Sequence, residues 1–128
     1  MLDKKSVILM ANDPQVLKGL SLLLEDIGFQ VFSTYHLYEI EQLINSGFDI
    51  PELLVLPFDI DNGQSGADLV HKLRKRLANN MPAILLCTEN SLETNQLENE
   101  NIWFFSDQTK PAILRKKIFQ LLDHELIP

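Results

Sequence analysis

One short stretch, residues 51–66 (PELLVLPFDIDNGQSG), constrains the fold of this chain more than any other. Residues 53–56 are an unbroken apolar run, which is typical of a strand buried on both faces of a parallel sheet. The run ends in Pro57, so the acidic and amide residues that follow lie at the carboxyl edge of the predicted sheet. Open α/β sheets bind their ligands at that edge. We therefore expect any functional site to lie around Pro57.

Strands and predicted helices alternate along the whole chain. Asp13 and Pro14 supply an N-cap and a first helical residue, and Gly28 ends that helix. Residues 88–101 contain only Leu92 and Leu97 as apolar anchors, so a helix there is expected to be short or mobile. Four further strands are predicted from apolar runs, at residues 6–10, 30–34, 83–87 and 102–105. This alternation predicts a flavodoxin-like α/β fold with three α/β/α layers and a five-stranded parallel sheet of order 2-1-3-4-5.

The composition fits one domain, residues 1–128, and disfavours several classes of function. The chain is 45% hydrophobic, enough for a single core, and its net charge of -7 argues against nucleic acid as a direct ligand. The single cysteine, Cys87, rules out an internal disulfide and suits a reducing cytoplasm. No apolar run is long enough to span a membrane. Ending at Pro128 without a tail is compatible with a domain excised from a longer protein.

The stretch around Pro57 resembles the third strand and following loop of response-regulator receiver domains. It is most similar to the variant attached to hybrid histidine kinases, in which a loop ending DGQSG is common. The resemblance extends from Val7 to Leu122, and it implies the receiver fold. In that family the residue at the Pro57 position is the aspartate that accepts phosphate. Proline has no carboxylate and no nucleophilic atom, so phosphoryl transfer cannot occur at this position.

The resemblance also assigns the acidic pair that helps receivers to hold magnesium. Ala11 and Asn12 match that pair, and neither is a carboxylate. Since magnesium prefers hard oxygen ligands, usually carboxylates, its binding is expected to be weak or absent, and no other cofactor is indicated. The neighbouring acids Asp13, Asp59 and Asp61 are interpreted as solvated loop carboxylates.

Three further receiver positions have changed or carry an aromatic residue. Cys87 matches the hydroxyl residue that bonds the phosphoryl group, although a slip of one residue would place Thr88 there. Asp107 matches the lysine that pairs with the phosphorylated aspartate, and a slip of three residues would place Lys110 there instead. Phe104 matches the aromatic switch residue. The resemblance therefore implies a degenerate receiver, or pseudo-receiver.

The leading hypothesis is a phosphorylation-independent protein-interaction module of two-component, or phosphorelay, signal transduction in the cytoplasm. Its expected partner is a histidine kinase, a phosphotransfer or output domain or another receiver, with a homodimer left open and neither nucleic acid nor membrane bound directly. We expect no enzyme activity, although a longer protein with a linked histidine kinase stays open. The alternative is a small-molecule sensor whose emptied crevice is lined by Ala11, Pro57, Phe58 and Cys87.

The expected interaction surface combines aromatic and basic residues near the last strand. Its members are Trp103, Phe104, Arg115 and Lys116, residue types that suit an interface centre and an acidic partner. The alternative is that both aromatics belong to the core. The two basic clusters, residues 71–76 and 115–117, are predicted to lie in the last turns of helices, where cations favour the macrodipole.

Overall fold

The computed structural model describes residues 5–47, 50–60, 64–87 and 100–126, with side chains as far as residue 122. Its strands are β1 (Ser6–Met10), β2 (Gln30–Thr34), β3 (Leu53–Pro57), β4 (Asp59–Ile60), β5 (Gln64–Ser65), β6 (Ala83–Cys87) and β7 (Ile102–Ser106). Its helices are α1 (Pro14–Ile27), α2 (Leu37–Asn45), α3 (Gly66–Leu77) and α4 (Pro111–Leu126).

The five longer strands form one parallel sheet of order β2-β1-β3-β6-β7. The short strands β4 and β5 form a separate antiparallel hairpin in the loop after β3. Without this hairpin in the count, the order is the predicted 2-1-3-4-5, and the flavodoxin-like fold is confirmed. The hairpin itself was not predicted. The expected short or mobile helix falls largely on residues 88–99, which lie outside the described residues.

Two apolar layers cover the sheet, one on each face. All five residues of β1, of β3 and of β6 are buried, which explains why these strands appear as continuous apolar runs. Alternation along β3 sends Leu53 and Val55 toward the core shared with α1 and α4. Leu54 and Leu56 face the opposite core, which includes residues of α2 and α3. The predicted three-layer architecture is thus confirmed.

Capping residues fix where two of the helices begin. The carboxylate of Asp13 accepts a hydrogen bond of 2.8 Å from the backbone N–H of Gln15, and Pro14 opens α1, as predicted. The hydroxyl of Ser65 accepts a bond of 3.1 Å from the N–H of Asp68 at the start of α3. Both caps satisfy N–H groups that have no partner inside the helix.

The prediction for the basic clusters is correct for residues 74–76 and wrong for residues 71, 72 and 115–117. Arg74, Lys75 and Arg76 occupy the last turn of α3, where their charge favours the helix dipole. Residues 115–117, in contrast, are the fifth to seventh residues of the 16-residue helix α4. The error arises because α4 continues well beyond them. Arg115 instead pairs with the Asp26 carboxylate of α1, and Lys117 lies over the Trp103 ring.

Candidate functional site

A crevice opens at the carboxyl edge of the sheet, where β1 and β3 diverge toward α1 and the hairpin. Its volume is about 130 Å³, and its lining residues are Ala11, Asn12, Asp13, Val16, Pro57, Phe58, Asp59, Leu86 and Asp107. This is the place at which a doubly wound sheet presents ligand sites. The structure thus brings the residues at four expected receiver positions, Ala11, Asn12, Pro57 and Asp107, into one crevice.

Pro57 is a structural part of β3. It is the last residue of that strand, it is buried, and it lies in register with Leu86 of β6. The N–H groups of Leu54 and Phe58 both donate toward β6. Because successive backbone N–H groups along a strand point to opposite sides, the backbone nitrogen of Pro57 faces β1. The pairing between β1 and β3 ends earlier, at Leu9 and Val55. The missing N–H of Pro57 therefore removes no bond from that pairing, which explains how a central strand accommodates proline.

Gly66, the residue directly after the hairpin, packs closely against Pro57. Asp59 pairs with Ser65 and Ile60 with Gln64, and the N–H of Gly66 donates a bond of 2.7 Å to the carbonyl of Phe58. A Cβ atom at Gly66 would lie 2.2 Å from the Pro57 carbonyl oxygen. Only glycine fits this approach. The sequence pattern did not indicate this contact with Pro57.

The β1–α1 loop uses its polar groups for structure. The side-chain amide of Asn12 donates a bond of 3.2 Å to the backbone carbonyl of Asp59, which ties this loop to the hairpin. The carboxylate of Asp13 is engaged as the cap of α1. Ala11 and Pro57 offer no side-chain oxygen. The side chains at these four positions therefore do not provide the ligands of a magnesium ion, which requires near-octahedral oxygen ligands and usually a carboxylate.

The described residues provide no other metal centre. Within residues 5–47, 50–60, 64–87 and 100–122, no three His, Cys, Asp or Glu side chains come together closely enough to hold a metal ion. Asp61, one of the acids noted in the sequence, lies outside the described residues.

Cys87 lies at the end of β6 and is almost fully buried, at 1% exposure. It is absent from the residues that line the crevice, where Leu86 takes the place expected for it. Burial, and to a smaller extent the charges of Asp59 and Asp107, raise the pKa of the Cys87 thiol to about 11. The thiol is therefore protonated at neutral pH and is a poor nucleophile.

The register of the last two strands decides which residue follows β7. Cys87 pairs with Ser106, and the N–H of Asp107 donates a bond of 2.9 Å to the Cys87 carbonyl. Asp107 thus comes directly after the pairing and lines the crevice. Lys110 is exposed, and its carbonyl accepts bonds from the first turn of α4. A carboxylate therefore occupies the position where the resemblance implies a cation.

The four residues expected to form an interaction surface do not form one continuous patch. Adjacent strand residues point to opposite faces, so Trp103 packs toward the α1 and α4 core and Phe104 toward the other core. The Phe104 ring lies 5.7 Å from that of Phe58, at 60°. Both aromatics are partly buried against a core, as the alternative held. Arg115 turns toward α1, and Lys116 is exposed.

Trp103 is held at the edge of the sheet by polar contacts as well as by packing. The Lys117 ammonium lies 3.6 Å from the centre of the Trp103 ring, a cation–π contact. The indole N–H donates a bond of 3.2 Å to the side-chain oxygen of Asn101. The sequence did not indicate this role for Lys117. Lys117 follows Trp103 by 14 residues, and the end of a strand, a loop and the start of a helix lie between them. No local sequence pattern therefore links the two residues.

Comparison with solved structures identifies the fold. A response regulator receiver protein from Sinorhizobium medicae WSM419 aligns with a TM-score of 0.77 at 18% identity, over 96% of this chain and 98% of that one. A CheY-like receiver domain protein from Methanospirillum hungatei JF-1 aligns with a TM-score of 0.77 at 21% identity, over 95% and 96%. The chain has the receiver fold.

A third receiver-fold structure covers a complete chain. A two-component response regulator from Clostridium difficile aligns with a TM-score of 0.77 at 18% identity, over 97% of this chain and 100% of that one. No family model matches the sequence, and no curated protein matches it either. At these identities the likeness establishes the receiver fold alone. In the described parts of the chain, no helix combines the length and the apolar character needed to cross a bilayer.

Proposed function

We propose that this domain is a pseudo-receiver, which acts as a phosphorylation-independent protein-interaction module in two-component signalling. The observation that carries the proposal is the structural use of position 57. The receiver fold is retained, yet this position is a buried proline whose carbonyl is in close contact with Gly66. A proline at this position has no carboxylate that could accept a phosphoryl group.

The crevice around Pro57 supports the same conclusion. Phosphoryl transfer depends on cations that neutralise the developing negative charge. Here the lining residues include three carboxylates, those of Asp13, Asp59 and Asp107, and include neither lysine nor arginine. Because Ala11 and Asn12 stand where the acidic pair is expected, we propose that magnesium binds weakly or not at all. With neither a phosphoacceptor at position 57 nor a cation to neutralise developing charge, we also propose that the domain is no enzyme.

The partner is proposed to be another signalling protein of the cytoplasm, such as a histidine kinase, a phosphotransfer or output domain or another receiver. Receiver folds present helix and strand faces to such proteins, and those faces do not depend on the phosphoacceptor. The single buried cysteine suits a reducing compartment. Because the fold does not by itself fix the function, the partner has to be identified by experiment.

Hydrogen exchange on the domain alone and with its cognate kinase or output protein tests the proposal and locates the interface. We expect the partner to raise protection from exchange in residues 88–105, a range that includes Trp103. The rise should be the same with and without magnesium and beryllium fluoride. Protection confined to α1 would move the interface to the opposite side of the domain. Protection that appears only with the phosphate mimic would refute phosphorylation independence.

A small-molecule sensor is the second candidate, and the crevice volume disfavours it. Drug-sized ligands occupy clefts of roughly 300 to 1,000 Å³. The crevice measures about 130 Å³, and acidic side chains border its apolar residues Ala11, Pro57 and Phe58. A thermal-shift screen of metabolites separates the two candidates, since a ligand that stabilises the wild-type domain but not a variant with a filled crevice, Ala11→Leu, would favour the sensor.

A further inference from the structure

A second pocket opens between the loop that follows β2, the start of α2 and the end of β4. Its volume is about 340 Å³. The residues that line this β2–α2 pocket include Met10, Tyr35, His36, Tyr38, Glu41 and Ile60. Among the described residues, it shares no lining residue with the crevice around Pro57. Ligand pockets begin at roughly 300 Å³, so the β2–α2 pocket has room for a small group such as one side chain of a partner.

Three aromatic side chains form the wall of the pocket, and two apolar ones form its floor. Tyr35 is 45% exposed and Tyr38 is 57% exposed, so both rings are accessible from outside. The rings of His36 and Tyr38 stack at a centroid distance of 5.5 Å and an angle of 22°, which orients the Tyr38 ring. Met10 and Ile60 of the floor are buried. The faces of aromatic rings carry negative partial charge and attract cations that come within about 6 Å.

The pocket also contains a carboxylate. Glu41 lies one turn along α2 from Tyr38, so the two side chains share a helix face. The Lys72 ammonium of α3 lies 3.2 Å from one Glu41 oxygen, and both side chains are partly exposed. A carboxylate can accept several hydrogen bonds, so Glu41 can also pair with an incoming cation. The positive end of the α2 dipole is met by Glu39, the acid of the first turn.

These groups select a cationic ligand. An anion would be repelled by Glu41 and by the net charge of -7. An apolar group would cover the Glu41 carboxylate without pairing with it, which costs free energy. Among cationic side chains, the planar guanidinium of arginine stacks on aromatic faces and pairs with a carboxylate through two parallel hydrogen bonds. The ammonium of lysine is a point charge and does neither as well.

The exposure of the two tyrosines indicates where the arginine comes from. Sites for free small molecules bury most of their ligand, and two rings as exposed as Tyr35 and Tyr38 do not provide that enclosure. A side chain carried by a protein arrives with surrounding surface that covers the rings. Tyrosine is also among the residue types enriched at protein interfaces.

We propose that the β2–α2 pocket binds an arginine side chain of a protein partner. The guanidinium lies against the rings of Tyr35 and Tyr38 and pairs with Glu41, and its aliphatic stem packs on the apolar floor. Since β2 and β7 are opposite edges of the sheet, this surface is separate from the one expected next to Trp103. The inference goes beyond the proposed function, because it assigns a second surface and its ligand chemistry, and it can be tested without the signalling partner.

Titration of the isotope-labelled domain with the peptide acetyl-Gly-Arg-Gly-amide, followed by NMR, tests the ligand chemistry. We expect binding in the millimolar range, with shifts in the backbone amides of residues 35–41 and of Ile60. The matching lysine peptide should bind more weakly. The citrulline peptide, which keeps the shape of arginine without its charge, should bind at least about tenfold more weakly. Equal binding of the arginine and citrulline peptides, or no shift in residues 35–41, overturns the proposal.

Variants of the pocket test which groups hold the guanidinium. Glu41→Gln should weaken binding of the arginine peptide about fivefold. Tyr38→Leu should weaken it about two- to fivefold, whereas the control Tyr38→Phe keeps the ring and should bind like wild type. Lys72→Met removes the cation that competes for Glu41 and should strengthen binding about two- to threefold. Unchanged binding in Glu41→Gln, or weaker binding in Lys72→Met, with both variants folded by their NMR spectra, overturns the proposal.

Discussion

Gly66→Ala tests the close packing that makes Pro57 a structural residue. The added Cβ would lie 2.2 Å from the Pro57 carbonyl oxygen and 2.9 Å from a methyl carbon of Leu85. The first of these atoms belongs to the backbone of a central strand and cannot move without displacing β3. Either α3 or β3 must therefore shift, which would lengthen or break the 2.7 Å hydrogen bond from the Gly66 N–H to the Phe58 carbonyl.

The expected loss of stability follows from these two effects. Overpacking costs about 1 to 3 kcal/mol, and a weakened buried hydrogen bond adds about 1 kcal/mol. We therefore expect Gly66→Ala to lower the free energy of unfolding by about 2 to 4 kcal/mol. For a domain of this size that corresponds to a Tm lower by roughly 8 to 16 °C.

Urea denaturation followed by Trp103 fluorescence measures the effect, since Trp103 is the only tryptophan of the chain. The matched control is Gly19→Ala within α1, where a Cβ would meet nothing within 4 Å. This control should stabilise the domain by about 0.5 to 1 kcal/mol, because alanine favours a helix interior. A Gly66→Ala variant as stable as wild type, with an unchanged slope against urea, would refute the packing of Gly66 on Pro57.

Three further predictions concern the thiol, the sheet edge and the phosphoacceptor position. Because the pKa of Cys87 is raised from 9.0 to about 11, the stability that this thiol confers is complete below pH 9 and lost as the pH rises through 11. Between pH 9 and pH 11 wild type should lose about 2 kcal/mol more of its free energy of unfolding than Cys87→Ala, and equal losses in the two proteins would contradict the prediction. Lys117→Met should lower the free energy of unfolding by about 0.5 to 1 kcal/mol through loss of the cation over Trp103, whereas exposed Lys116→Met should change it by less. Pro57→Asp leaves Ala11 and Asn12 at the positions of the acidic pair and should therefore bind no magnesium in calorimetry, so micromolar binding with self-phosphorylation would disprove our account of the changed positions.

The sheet was predictable because its central strands are buried on both faces. The apolar runs that end at Met10, Pro57 and Cys87 carry this signal directly, and the capping residues Asp13 and Ser65 mark two helix starts. The hairpin of β4 and β5 was not predictable in this way. Its strands have two residues each, too few to show an alternation of apolar and polar residues.

The candidate site was only partly predictable. The resemblance named the positions that meet in the crevice, but the contact of Gly66 with Pro57 depends on a backbone approach that no residue pattern shows. Arg115 and Asp26 are 89 residues apart and meet only because α1 and α4 cover the same sheet face. In contrast, the separation of Trp103 from Phe104 could have been foreseen, since adjacent residues of a strand point to opposite faces.

Intact-mass analysis after incubation with acetyl phosphate and magnesium tests the central claim most directly. A receiver with an active phosphoacceptor, treated in parallel, supplies the positive control. We predict that the mass of this domain stays unchanged, because position 57 has no carboxylate and the described residues that line the crevice include no lysine or arginine. A stoichiometric gain of one phosphoryl group that disappears in Asp59→Asn or Asp61→Asn would contradict the account, since a neighbouring carboxylate would then have taken over the chemistry.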